Sequence, residues 1–214
     1  MDASREDLRQ ALRLEAWTLA WMVIEAAASL GAGIVARSLL LIAFGADSVI
    51  ELLSAGVLFH RFRSEYRGRQ ESQEALAARE RRAGRIAGGL LYLLAAYVVA
   101  QAAWGLAQRQ QADISPVGIA IAIVAALGMP LLARAKLRVA DRIGSPALRA
   151  DAMETITCGY LSWVLLGGLA ANALVPCWWL DSAASLLIVP ILLREAKEAA
   201  TGKCDCRHED GNSK

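Results

Sequence analysis

The sequence has little histidine and lacks the short patterns of common hydrolases. Its two histidines, His60 and His208, lie at or beyond the edges of the apolar stretches. It contains neither the H-E-x-x-H pattern of zinc proteases nor the G-x-S-x-G turn of serine hydrolases. An intramembrane enzyme is therefore disfavoured, and we expect no catalytic function. The four cysteines show no paired spacing that would indicate a disulfide framework.

The sequence also lacks the pattern of a cleavable signal peptide. Residues 1–15 are polar, with no short apolar core behind a basic start, so we expect the first apolar helix to act as the insertion signal. Apolar residues are abundant: 56% of residues are hydrophobic and the mean hydropathy is +0.38. Soluble domains are about 45–50% apolar. The long apolar runs predict an integral membrane protein.

We predict an all-α membrane protein with six transmembrane helices. A membrane-spanning helix needs about 20 mostly apolar residues, and Ser-Pro pairs at 115–116 and 145–146 are typical of helix starts. The predicted spans lie near residues 16–36, 39–59, 86–107, 116–133, 147–174 and 178–195.

The distribution of basic residues predicts the orientation of these helices. With both termini in the cytoplasm, all but two of the 23 Lys and Arg residues, Arg37 and Arg109, fall on the cytoplasmic side. Residues 60–85 then form a charged cytoplasmic hairpin. We therefore predict a six-helix transmembrane domain over residues 1–195.

The remaining segment, residues 196–214, is predicted to be a short, disordered cytoplasmic tail. It contains the sequence CDCRH, formed by residues 204–208. Two thiols beside a histidine can bind a soft metal, and free thiols in a disordered tail are the alternative.

Two acidic residues stand near the middle of the second apolar stretch. Asp47 and Glu51 are four residues apart and so project from one face of a helix. An acid at mid-bilayer costs at least ~2.5 kcal/mol, and such residues are usually functional. Two adjacent carboxylates in a low dielectric either share protons or hold a cation between them. A hydrogen-bonded structural pair is the less favoured alternative.

The fifth apolar stretch supplies a second pair with the same spacing. Glu154 and Cys158 follow the helix start at Pro146 by two and three turns, so both are able to face Asp47 and Glu51. Three carboxylates and a thiolate would form a four-ligand site for a metal such as zinc. The alternatives are an interfacial ion pair of Glu154 and a packing role for Cys158.

Two further acids are candidates for a supporting role. Glu25 lies inside the first predicted span and is a candidate proton carrier or second-layer partner of the metal site. Asp151 lies near the start of the fifth helix, where the helix dipole stabilises a carboxylate. We expect Asp151 to act there, or as a partner of the site, rather than as a ligand.

The segments SLLLIAFGADSVIELLSAG, ALRADAMETITCGYLSWVLLGGL and WWLDSAASLLI resemble helices two, five and six of the cation diffusion facilitator family. The resemblance is closest to short prokaryotic members without the cytosolic C-terminal domain. It implies six helices with cytoplasmic termini, a homodimer, and export of zinc or a similar divalent metal against protons. The family's paired ligands fall on Asp47 and Glu51, and on Glu154 and Cys158, where Glu replaces His and Cys replaces Asp.

The residues and the resemblance together predict a divalent metal/proton antiporter in the inner (plasma) membrane of a prokaryote. The transported metal, protons, lipid and a second copy of the chain are the expected partners, with neither nucleic acid nor an organic cofactor. Zinc is favoured, because a thiolate from Cys158 would soften the site. The small-residue patches at 29–36 and 87–96 are candidate dimer contacts. The alternative is a membrane sensor or scaffold that binds metal without transporting it.

Overall fold

The computed structural model of the protein describes residues 5–67, 73–174 and 177–201. Within those ranges the chain is all-helical. The six α-helices, numbered in chain order, are α1 Arg5–Ala36, α2 Leu39–Tyr66, α3 Gln73–Gln108, α4 Pro116–Ile143, α5 Pro146–Leu174 and α6 Leu180–Thr201. The prediction of six helices is confirmed. The CDCRH segment lies outside the described residues.

Local sequence explains where several helices begin and end. Ser38 caps α2, because its hydroxyl accepts a hydrogen bond from the Leu41 amide. Ser115 caps α4 in the same way, and Pro116 occupies the first turn. Gly144 ends α4 with a φ of 62°, a left-handed conformation that glycine adopts without a steric penalty.

The six helices alternate in direction, as contacts at the two ends of the bundle show. At one end the Asp113 amide donates to the Ala36 carbonyl (2.8 Å), and Ser38 Oγ donates to Asp181 Oδ1 (2.6 Å). This end, called the Ser38 end, joins the starts of α2 and α6 to the end of α1. At the opposite end, called the Arg142 end, Arg142 lies 3.2 Å from Asp7.

The helices pack mainly in three pairs. α1 packs on α2, α4 on α5 and α3 on α6, and smaller contacts join α2 to α3 and α1 to α4. Glycines allow the closest approaches. A Cβ atom at Gly88 of α3 would lie 2.6 Å from the Ala196 carbonyl oxygen of α6, and one at Gly33 of α1 would lie 2.9 Å from the Ile42 amide nitrogen of α2. These two glycines of the predicted dimer patches therefore serve packing within one chain.

Five of the six helices, α1 to α5, are long and apolar enough to cross a membrane. α6 does not meet the same requirement for length and apolar character, because it has charges near both ends. Asp181 stands in its first turn, and Arg194 and Glu195 stand shortly before its last turn. Its apolar part is shorter than the ~20 residues of a typical span. Six crossings therefore remain a prediction. The partly buried and exposed apolar side chains along α1 to α5 suit contact with lipid.

The helices extend beyond the apolar stretches that predicted them. α1 begins at Arg5 rather than near residue 16, and α4 continues to Ile143 rather than ending near 133. α6 passes the predicted domain boundary at 195 and ends at Thr201. These extra turns place charged side chains such as Glu15 and Lys136 between packed helices.

Candidate metal site

Three carboxylates meet inside the bundle. Asp47 and Glu51 come from one face of α2, as their spacing predicted, and Glu195 comes from α6. One oxygen of each side chain lies within 4.8 Å of the other two. The exposed fractions of the three residues are 1%, 8% and 9%. We call this group the acid cluster.

The acid cluster has no counter-charge of its own among the described residues. Neither oxygen of Asp47, Glu51 or Glu195 has a hydrogen-bond partner. Burial of an ionised carboxylate without a partner is costly, so such a group either takes up a proton or binds a cation. Three convergent carboxylates offer the oxygen ligands that divalent metal ions accept. The geometry therefore fits a site for protons or for a divalent cation.

Glu154 of α5 lies beside this cluster but is not a member of it. A narrow crevice between α1, α2 and α5 is lined by Glu51 and Glu154, together with Asp151, Thr18 and other side chains. The alternative interpretation of Glu154 was an ion pair with Arg149, but Arg149 has another partner. Its guanidinium donates to Asp141 Oδ1 at 2.7 Å on the exposed surface. Glu154 thus lies in the same crevice as Glu51 and Asp151.

Cys158 is buried and directed at another acid. Its Sγ donates to Glu25 Oε1 at 3.6 Å. The same carboxylate accepts from Ser48 Oγ at 2.7 Å and from Trp21 Nε1 at 2.6 Å. Glu25 is therefore a well-satisfied carboxyl group that joins α1, α2 and α5. It has the position of a supporting group beside the acid cluster, and Cys158 serves it as a donor.

Asp151 belongs to a second buried group of charges. The ammonium of Lys136 on α4 donates to Asp151 Oδ2 and to Thr155 Oγ1 (3.3 Å), and it lies 3.5 Å from Glu15 Oε1 of α1. Lys136 and Glu15 are both 0% exposed. We call Glu15, Lys136 and Asp151 the lysine cluster. Asp151 is therefore an ion-pair partner of Lys136, a contact that we did not predict from the sequence.

Three residues of these two groups were not predicted as interior groups. Glu195 stood at the end of the last apolar stretch, and Lys136 and Glu15 lay outside the predicted spans. A signal for one of them was present. Lys136 precedes Gly144 by eight residues and Asp151 follows it by seven, so a helical hairpin turning at Gly144 brings the two together.

The bundle and its acid cluster define a polytopic membrane protein with three convergent carboxylates in its interior. The cation efflux transmembrane domain family matches residues 17–200, and the chain belongs to that family. The resemblance to the cation diffusion facilitators is thereby confirmed. Members of the family transport divalent metal cations across membranes and are not enzymes. No curated protein matches the chain significantly.

Proposed function

We propose that the protein exports a divalent metal cation in exchange for protons, with Asp47 and Glu51 as its central ligands. The observation that carries this proposal is the acid cluster, whose buried oxygens have no partner within the described residues. In a member of a cation efflux family, the transported ion has the charge that these buried carboxylates need.

Exchange with protons follows from the charge of the site. Three buried carboxylates repel one another and cannot all remain ionised without neutralisation. Protons and a divalent cation are two ways to neutralise them, and each excludes the other from the same oxygens. Metal arriving from the cytoplasm displaces protons, and protons arriving from outside displace the metal. Alternating exposure of the cluster to the two sides completes the cycle.

The proposed topology places six crossings in an inner membrane, with both termini in the cytoplasm. The alternating directions of the helices support it, because α6 starts at the Ser38 end and runs beside α3 toward the opposite end. Arg9 and Arg142 lie at the Arg142 end, which suits the cytoplasmic face. The working unit is proposed to be a homodimer whose contacts come from the helices.

We propose zinc as a substrate, as the sequence predicts, and Mn²⁺ as its competitor. That preference relied on a thiolate ligand, and the thiol of Cys158 points at Glu25. The acid cluster by itself offers oxygen ligands, which zinc accepts but which also suit harder cations such as Mn²⁺. The substrate panel must therefore include both kinds of ion.

The test is metal flux in sealed proteoliposomes that contain the purified protein. Zn²⁺, Mn²⁺, Fe²⁺, Co²⁺, Ni²⁺ and Cd²⁺ are each supplied with and without an opposing proton gradient. We expect flux of at least one ion, dependent on that gradient and abolished by Asp47→Asn. Asp113→Asn, in an exposed loop, is the matched control and should transport normally.

Three outcomes would contradict parts of this proposal. Normal flux in Asp47→Asn would exclude the acid cluster as the transport site. Flux that ignores a protonophore would exclude proton exchange. Metal binding without any flux would favour the sensor or scaffold alternative.

A further inference from the structure

Glu195 stands on α6 at the point where that helix approaches α2. α6 packs mainly on α3, and its contacts with α2 and α5 are fewer. Ala196, the next residue, is held against Gly88 of α3 at the close approach described above. The Glu195 side chain leaves α6 toward α2, where its carboxylate approaches Asp47 and Glu51. One residue thus reaches from the α3–α6 pair into the acid cluster.

The carboxylate of Glu195 is buried without a hydrogen-bond partner among the described residues. Both of its oxygens are enclosed, and the residue is 9% exposed. The Thr157 hydroxyl of α5 lies near the carboxylate but donates to the Met153 carbonyl at 3.2 Å. A basic residue stands directly before it, yet the Arg194 Nε lies 2.8 Å from Glu198 Oε1 on the exposed side of α6. The helix therefore directs its own ion pair outward and leaves Glu195 facing the other two acids.

We propose that Glu195 is a ligand of the transported cation, so that the bound ion joins α6 directly to α2. This inference rests on the proposed function and adds a third helix-borne ligand to it. Asp47 and Glu51 share one rigid helix, so an ion held by them alone would not connect separate parts of the bundle. An ion that also binds Glu195 adds a direct link between α6 and α2, two helices that otherwise contact each other little.

The alternative is that Glu195 is a neutral carboxyl group that merely fills space near the end of α6. In that case its amide analogue would leave metal binding unchanged. The Glu195→Gln variant separates the two interpretations, because glutamine keeps the size of the side chain and removes the anionic oxygen. Glu195→Asp keeps the charge but withdraws the carboxylate by one methylene group. Glu198→Gln, one turn further along α6, is the matched control.

The experiment measures equilibrium binding of Zn²⁺ and Mn²⁺ to the full-length protein in lipid nanodiscs, together with the metal-induced rise in melting temperature. Removal of groups that only orient metal ligands costs about 10–100-fold in affinity. We therefore expect Glu195→Gln to weaken binding at least tenfold and to remove most of the thermal shift. Glu195→Asp should be intermediate, and Glu198→Gln should match the wild type.

Melting temperature without metal guards against a folding artefact. Glu195→Gln relieves repulsion within the acid cluster, so its metal-free melting temperature should equal or exceed that of the wild type. Wild-type affinity in Glu195→Gln and Glu195→Asp, with binding lost in Asp47→Asn, would overturn this inference and leave the proposed function intact. Unchanged binding in all three variants would overturn both. Should Glu195→Gln not fold, weakened binding by a folded Glu195→Asp supports the inference and unchanged binding overturns it.

Discussion

The two buried charge clusters of this protein contain similar acids and differ in one respect. In the lysine cluster, Lys136 supplies one ammonium to the carboxylates of Asp151 and Glu15, so the fold itself provides part of the neutralisation. In the acid cluster, no described side chain supplies a cation to Asp47, Glu51 or Glu195. The comparison separates buried charges that pair with one another across helices from buried charges that need a proton or an external cation.

The difference has an energetic basis. Loss of one partner from a buried ion pair is strongly destabilising, because the other charge remains without compensation. A cluster that lacks its partner from the start already carries that cost, unless protons or a bound ion neutralise it. Removal of an acid should therefore weaken the lysine cluster and relieve the acid cluster. The following predictions test this contrast.

The largest effect on stability is expected for Lys136→Met. Asp151 and Glu15 lose their ammonium, and we expect the free energy of unfolding to fall by about 3–5 kcal/mol. Denaturant unfolding of the purified protein measures it. The control is Arg142→Met on the same helix, which breaks a partly exposed pair with Asp7 and should cost less than about 1 kcal/mol. Equal losses in the two variants would contradict the distinction.

Asp47→Asn should behave in the opposite way. Without metal, the variant should be at least as stable as the wild type, because one of three repelling carboxylates has gone. With metal at roughly 100–1,000 times the dissociation constant, the wild type should gain about 3–4 kcal/mol, and the variant little or nothing. Thermal melting with and without Zn²⁺ or Mn²⁺ measures both the stability without metal and the gain in stability when metal is added. A variant that metal stabilises as fully as the wild type would show that Asp47 is not a ligand.

Asp151→Asn introduced together with Lys136→Met should cost less than the sum of the two single losses. Both variants remove the same ion pair, so the double variant cannot lose it twice. We expect a coupling of about 0.5–3 kcal/mol between the two positions. A double-mutant cycle of unfolding free energies measures it, and strict additivity would show that the pair contributes nothing as a pair.

The smallest effect is expected for Cys158→Ser. A serine hydroxyl is able to donate to Glu25 as the thiol does, and carboxylates alone then decide the metal preference. The ratio of Zn²⁺ to Mn²⁺ affinities should therefore change by less than about twofold, or roughly 0.4 kcal/mol. Competition binding measures that ratio. A large fall in it would instead identify Cys158 as the thiolate ligand predicted from the sequence.

The parts of the fold that local pattern controls were predictable. Six apolar stretches predicted six helices, and Ser115 and Pro116 predicted the start of α4, because capping and apolar length act within a few residues. The shared face of Asp47 and Glu51 followed from the helical repeat alone. The expectation that these acids are functional followed from the cost of placing them in an apolar stretch, and the transporter class followed from the resemblance to a family.

The composition of the two clusters depended on contacts between helices that are distant in sequence. Glu195 lies 144 residues after Glu51, and its approach to α2 requires α6 to continue past the last apolar residue and to turn that side chain inward. No repeat or short spacing encodes that rotation. Cys158 shows the same limit, since its spacing from Glu154 did not reveal that its thiol meets Glu25.

The sequence by itself thus determined the helices, the intramembrane acids on α2 and the family, because apolar length, helical period and short motifs are local properties. Only the tertiary structure decided which acids share a cation. Asp151 received the ammonium of Lys136 through the α4–α5 hairpin, while Asp47 and Glu51 received another carboxylate, Glu195. The physical reason is that a buried charge is neutralised by whichever side chain the packing of neighbouring helices brings within a few ångströms, and that packing is a property of the whole bundle.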